Sequence, residues 1–237
     1  MRQLKGLRQK VSDMGFINEK KKVLTLDETA ELLGAKKPQD IEPIQLDPIG
    51  MQVLAARVDQ LLDSDIVYKG KFVQMLNRNG WEYVARIGST AVVEIIAVTD
   101  DFCLLLTEQY RVPVGKRVIE LPAGLVGDMD QKEEILKAAN RELEEETGYR
   151  AGKIEIVGSG PSSPGLTSEI VSIALAKDLK KVSGGGGDKD EDIIVHKVKT
   201  WDVFEWSRQM VEKGFLVSPR VYVGLYFFSE NEKEIQI

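Results

Sequence analysis

The stretch GDMDQKEEILKAANRELEEETGY, Gly127–Tyr149, carries the most decisive pattern in the chain. Its middle reads as a helix over 131–147. At about 100° per residue, Ile135, Leu136, Ala138, Ala139 and Leu143 fall in one arc, the side a helix turns towards a core. Glu146 falls inside the same arc. Glu142 stands one turn before it, and Glu145, three residues after Glu142, lies on the margin, so three carboxylates converge at the edge of a buried face. Glu144 points the opposite way and, with Glu134 and Lys137, reads as ordinary solvated surface. Carboxylates this close and partly removed from water repel one another and raise each other's pKa unless a cation neutralises them. A metal ion is the economical neutraliser. The segment holds no histidine or cysteine, so the donors are all oxygen, which favours Mg²⁺ or Mn²⁺ over zinc.

Residue by residue, the segment resembles the Nudix box, Gly-x5-Glu-x7-Arg-Glu-(apolar)-x-Glu-Glu-x-Gly-(apolar), and it agrees at every fixed position. Chance does not produce such agreement when glycine makes up only about 7% of average sequence. The resemblance implies an α/β fold, the α/β/α Nudix sandwich, with a small N-terminal extension and a β-hairpin. It implies that Glu142, Glu145 and Glu146 hold the metals. Glu133 and Arg141 are expected to form an ion pair that stabilises the loop and helix, and Gly127 and Gly148 to supply the tight turns at either end. On the helical wheel Glu133 and Arg141 stand about 80° apart over two turns, which allows the pairing.

Three flanking segments resemble the ADP-ribose pyrophosphatase branch of that family, over residues from about 65 to 230. ELPAG (120–124) directly precedes the box, and in the branch the alanine carbonyl, here Ala123, is a metal ligand. EQYR (108–111) resembles the segment that brings an arginine, here Arg111, onto the diphosphate, where a guanidinium fork suits phosphate oxygens. SSPGLTSE (162–169) resembles the loop that delivers a glutamate beside the metals. Glu169 is therefore the candidate general base, with a metal-ligand role or a plain strand-edge charge as alternatives and Glu145 as the other candidate base. In this branch the segment before the core exchanges between two subunits and supplies aromatic rings that stack on the base. Trp81 is the substrate-binding candidate, with Tyr68 and Phe72 also available, and simple hairpin packing is the competing reading of all three. A homodimer is expected on the same ground. The reaction implied is Mg²⁺-dependent hydrolysis of the diphosphate of a nucleotide sugar, ADP-ribose to AMP and ribose 5-phosphate. The competing readings are a Nudix hydrolase of nucleoside triphosphates or dinucleoside polyphosphates, and a nucleotide-sensing regulator without catalysis.

Further out the pattern thins. Residues 1–60 read as an N-terminal arm with short helices, among them one capped by Thr25 to Glu28 and stopped at Gly34. Residues 61–237 are expected to form the catalytic domain with its leading hairpin, in which IVYKGKFVQML and WEYVARI are two strands joined across NRNG. AVVEIIAV and FCLLLTEQYR read as a strand pair across Thr99-Asp100-Asp101. Strands follow near 153–158, 169–177 and 192–199, then a helix from Trp201 and a last helix entered through Ser218-Pro219. The glycine run Gly184–Gly187 reads as a mobile loop, Cys103 as a buried thiol, and His196 as a solvent-facing residue on a strand. The chain is 237 residues long, 43% hydrophobic and 30% charged, which fits a globular fold with a real core. Its net charge of −6 argues against nucleic-acid binding, which needs a basic surface. No stretch reaches the ~20 apolar residues of a membrane span and no signal-peptide core is visible, so no membrane association and a cytoplasmic location are expected.

Overall fold

The structure, a computed structural model, describes residues 64–89, 91–127, 133–187 and 191–235. The helices expected within 1–60 lie outside the described residues. The chain divides into two compact units, one of 1–68 with 75–82 and the other of 69–74 with 83–237. Strands β1 (Asp65–Lys69), β2 (Val73–Arg78) and β3 (Trp81–Arg86) follow one another in a sheet of their own. Residues 66–76, expected as a single strand, are two, because the chain bends after Gly70, whose N–H donates to the Val73 carbonyl at 2.9 Å. In the first unit, Asn79 and Gly80 both take positive φ, 52° and 88°, as a two-residue hairpin turn requires.

The second unit contains β4 (Ala91–Ala97), β5 (Cys103–Arg111), β6 (Lys116–Glu120), β7 (Ala123–Val126), α1 (Ile135–Thr147), β8 (Tyr149–Pro161), β9 (Ile170–Lys181), β10 (Ile194–Lys199), α2 (Val203–Glu212), β11 (Leu216–Val217) and α3 (Pro219–Ile235). Its strands form two four-stranded sheets, in the orders β7-β4-β9-β8 and β10-β5-β6-β11. Here the expected pairing of β4 with β5 is corrected. The two strands belong to different sheets, and their only strand pairing among the described residues is an isolated bridge between Val98 and Leu104. The reason lies in their composition: both are apolar on both faces, so each needs cover on two sides, which a half-solvated hairpin does not give.

Side chains alternate across β4 with the period of a strand. Val93, Ile95 and Ala97 join Ala174 and Ala176 of β9 and pack against Ala138, Ala139 and Leu143 of α1. Ile96 faces the other way, into a second core with Leu104, Leu106, Ile119 and Leu175, closed by Val203 and Met210 of α2 and Val221 of α3. Helices therefore cover both faces, giving an α/β/α sandwich. Cys103 is buried, and among the described residues no helix is long and apolar enough to cross a membrane. Leu136 departs from its expected place in the core arc. It is 40% exposed, whereas Leu143 is fully buried, because the contact face of α1 is centred on Ala139 and Leu143. Leu143→Ala should accordingly lower stability by ~2–5 kcal/mol and Leu136→Ala by no more than ~0.5 kcal/mol. Urea unfolding of the two variants checks this, and equal losses would mean that α1 presents a different face.

Candidate functional site

The last two turns of α1 gather the carboxylates. Packing Leu143 into the core carries Glu146 inward with it, since the two lie three residues apart on one face. Glu146 is 5% exposed, and its Oε2 accepts a hydrogen bond from the backbone N–H of Ala123 at 3.1 Å. Burial pushes its carboxyl up to about 8. The Ala123 hydrogen bond opposes that shift, while the charges of Glu142 and Glu191 add to it and Arg111 counters it. Glu142 and Glu145 are held from the other side by Arg141, whose Nη1 lies 2.9 Å from the former and 3.0 Å from the latter. The same guanidinium makes a two-pronged bond to Glu133, at 3.0 and 3.1 Å. One cation thus bridges three carboxylates. These ion pairs hold the Arg141 guanidinium well above its ordinary pKa, with the Glu133 hydrogen bond as the largest cause.

Backbone geometry fixes this end of the helix. Gly148 closes α1 at φ +76°, its N–H bonded to the Glu144 carbonyl at 2.8 Å. A side chain there would collide with the Ser183 carbonyl and come within 2.9 Å of Gly185 N. The glycine run after β9 docks on the same end: Gly186 N–H donates to the Glu146 carbonyl at 2.8 Å and Gly187 N–H to that of Glu145 at 3.0 Å. The loop read from the sequence is thus tied, in its described part, to the carbonyls that a helix C-terminus leaves open. On the strand side, Gly124 lies so close to the Glu142 carboxylate that a Cβ there would overlap it. Gly127, at the end of β7, has φ +79°.

Three arginine–glutamate pairs act on one another's region, and one of them, through Arg111, is within electrostatic reach of Glu146. Arg111, at the end of β5, reaches Glu120 with its Nε at 2.6 Å, and Arg86, at the end of β3, reaches Glu169 at 2.5 Å. Arg220, in the first turn of α3, reaches Glu94 on β4 at 2.6 Å. The loop that carries Glu169 is pinned to β3, with Val84 N–H donating to the Leu166 carbonyl and Ser168 N–H to that of Val84. Sequence reading singled out Arg111 and Glu169 but missed Arg86, Glu94, Glu120 and Arg220. A signal for Glu94 was available, as a lone charge inside the apolar run of β4. Glu191 also contributes, being within electrostatic reach of Glu146. Trp81 belongs to the first unit, where it is exposed. His196, expected to face solvent, instead lies between the buried Glu108 carboxylate, 2.8 Å from its Nε2, and the ring of Trp206. An aromatic neighbour on α2 and a buried acid on β5 account for that placement, and neither is visible from strand alternation alone.

The donor set suits a hard cation. Among the described residues no group of three such side chains is already arranged around a common metal position. The carboxylates of Glu142 and Glu145 nonetheless share the guanidinium of Arg141, and Glu146, within electrostatic reach of Glu142, is buried with a backbone N–H as its hydrogen-bond partner. Such a group is ionised only if positive charge is brought to it. Oxygen donors alone suit a hard divalent ion.

Comparison with known proteins agrees with this architecture. A NUDIX domain family model matches residues 88–212. The chain is 41% identical over 118 residues to a protein named methanol dehydrogenase activator from Bacillus methanolicus, covering 49% of this chain and 62% of that one. It is 36% identical over 114 residues to an ADP-ribose pyrophosphatase of Bacillus subtilis, covering 48% and 60%. The match thus spans about three fifths of the length of these relatives. A solved structure described as an ADP compounds hydrolase superposes with a TM-score of 0.54 at 24% identity, covering 73% of this chain and 93% of that one, a likeness of fold.

Proposed function

The chain belongs to the Nudix family, and on that premise we propose that it hydrolyses the diphosphate of a nucleotide sugar, with ADP-ribose as the substrate and AMP and ribose 5-phosphate as products. One observation carries the reading: the carboxylates of Glu142, Glu145 and Glu146 at the end of α1, with Glu146 buried against the Ala123 amide. The name of the Bacillus subtilis relative supports the substrate class. In this proposal Glu142, Glu145 and Glu146, with the Ala123 carbonyl, hold Mg²⁺, for which Mn²⁺ can substitute. The bound ion supplies positive charge to the diphosphate oxygens and acidity to water.

The chain's own residues do the rest. Arg111, fixed by Glu120, directs its free guanidinium edge at the diphosphate. Glu169 accepts the proton of the attacking water as the new phosphorus–oxygen bond forms and the anhydride bond breaks, while Arg86 holds that carboxylate in place. Trp81 is the proposed stacking surface for the base. A homodimer, paired through the segment ahead of the core, completes the proposal. A second reading, a regulator of a partner enzyme, is favoured by the relative named as an activator of methanol dehydrogenase.

Glu146→Gln should abolish Mg²⁺-dependent release of AMP from ADP-ribose while the melting temperature holds or rises. Folding disfavours the ionised carboxyl at this position, and the amide removes that penalty at constant volume. Near-normal turnover in this variant would remove the metal assignment from α1, and a wild-type protein inactive on every nucleotide sugar would favour the regulatory reading. Glu169→Gln should lower kcat by about 10²-fold or more at saturating substrate, with metal affinity unchanged. Recovery of kcat on raising Mg²⁺ would instead make Glu169 a metal ligand. Light scattering at micromolar concentration should give twice the chain mass, and a monomer would rule out a site shared between subunits.

A further inference from the structure

Glu94 is an anomaly in the second core. Alternation along β4 puts it on the face of Ile96, towards α3, where its side chain is 7% exposed. Its Oε1 lies 2.6 Å from Arg220 Nε as an ion pair without hydrogen-bond geometry, so that Arg220 Nε and Glu94 Oε2 are both buried without a hydrogen-bond partner. The approach of α3 explains how the two meet. Gly224 lets the helix settle on β4, since a Cβ there would come within 3.1 Å of Leu121 and 3.4 Å of Ile96. Four residues back along a helix span about 6 Å and two residues back along a strand about 6.6 Å, so Arg220 falls above Glu94 as Gly224 falls above Ile96. As a purely structural device the pair is poor, because it desolvates a carboxylate and leaves one of its oxygens unsatisfied where an apolar pair would pack.

The other two arginine–glutamate pairs give it a different meaning. Arg86 and Arg111 each donate a hydrogen bond from Nε to a glutamate, Arg220 faces its glutamate from the Nε side as an ion pair, and each is between 37% and 45% exposed. Among the described residues none of the three has a partner at its terminal amino groups. The charges of Glu120, Glu169 and Arg111 all act on the Glu94 carboxyl, so the three pairs share one region. A guanidinium held at Nε presents its two outer nitrogens as a rigid fork, matched to two oxygens of a phosphate.

We propose that Arg220, fixed by Glu94, is an oxyanion-holding arginine of the same site and grips phosphate oxygens of the nucleotide diphosphate, with Glu94 as its positioning residue. This rests on the reading given under Proposed function. Arg220→Gln should raise KM for ADP-ribose by about tenfold or more and leave kcat within about threefold. Calorimetric affinity for ADP with Mg²⁺ present should weaken in parallel. Arg220→Lys, which keeps charge but loses the fork, should recover only part of the loss, and Glu94→Gln should raise KM less than Arg220→Gln does.

The double variant Glu94→Leu with Arg220→Met separates this from a structural role. It should unfold at the same or a higher urea concentration than wild type and still show the raised KM. The proposal is overturned if KM and ADP affinity of Arg220→Gln stay within about twofold of wild type, if kcat alone falls, or if the double variant regains the wild-type KM. A wild-type protein that hydrolyses no nucleotide sugar would sink the proposed function. ADP binding by wild type and Arg220→Gln would still decide the role of Arg220, and equal or absent binding would count against it.

Discussion

Everything at the site follows from one constraint on α1: the face that buries Leu143 also carries Glu146. A helix can exclude a charge from its apolar face only by placing the residue elsewhere on the wheel, and here the sequence does not. Burying Leu143 stabilises the sandwich by a few kcal/mol, and the carboxylate of Glu146 goes in with it, to a position where one backbone N–H is its hydrogen-bond donor. Glu142 follows one turn earlier, against Gly124. The result is a buried carboxyl held at the sheet's edge by packing forces, beside two carboxylates that share Arg141 as counter-ion. In the proposed function this arrangement suits a cation, because a bound ion supplies the positive charge that ionising a buried carboxyl requires.

Precision then depends on how the end of the helix is fastened. The carbonyls of Glu144, Glu145 and Glu146 would otherwise be open, and they are taken up by the N–H groups of Gly148, Gly187 and Gly186. Only glycine fits this arrangement, since the backbones of the helix end and of the loop after β9 approach too closely for a Cβ and several φ values are positive. The same docking brings Glu191 within electrostatic reach of Glu146. A loop read from composition as mere slack between strands therefore fixes the axis of the carboxylate-bearing helix.

The difference between what was and was not legible in the sequence is one of range. Helix α1, its carboxylates and its glycine ends lie within about twenty residues, so spacing alone puts them together. The last helix, entered through Ser218-Pro219 with Val221 inward, was readable for the same reason. Pairing across the fold was not. β4 and β5 are adjacent in the chain and look like a hairpin, yet their two-sided apolar character assigns them to separate sheets, and only the three-dimensional layering makes that visible. Leu136 sits within the apolar arc of the wheel but outside the narrower strip that touches the sheet. Of the three arginine–glutamate pairs, Arg86 with Glu169 and Arg220 with Glu94 join residues more than eighty positions apart, beyond any local pattern.

Those pairs also resolve an electrostatic difficulty. If the ligand is the proposed nucleotide diphosphate, a chain of net charge −6 with several neighbouring glutamates should repel it. Positive charge in the form of free arginines would answer this, but a flexible side chain loses conformational freedom when it grips a ligand. Pairing each guanidinium with a glutamate on its Nε side removes much of that loss in advance and leaves the outer fork available. The glutamates that seem to worsen the charge balance are what hold the arginines in place. Arg141 shows the opposite use of the same chemistry, since its nitrogens are occupied by Glu133, Glu142 and Glu145 and it serves as an internal counter-ion. On the proposed reading, whether an arginine here stabilises structure or receives a ligand is decided by how many of its five donors the protein itself has used.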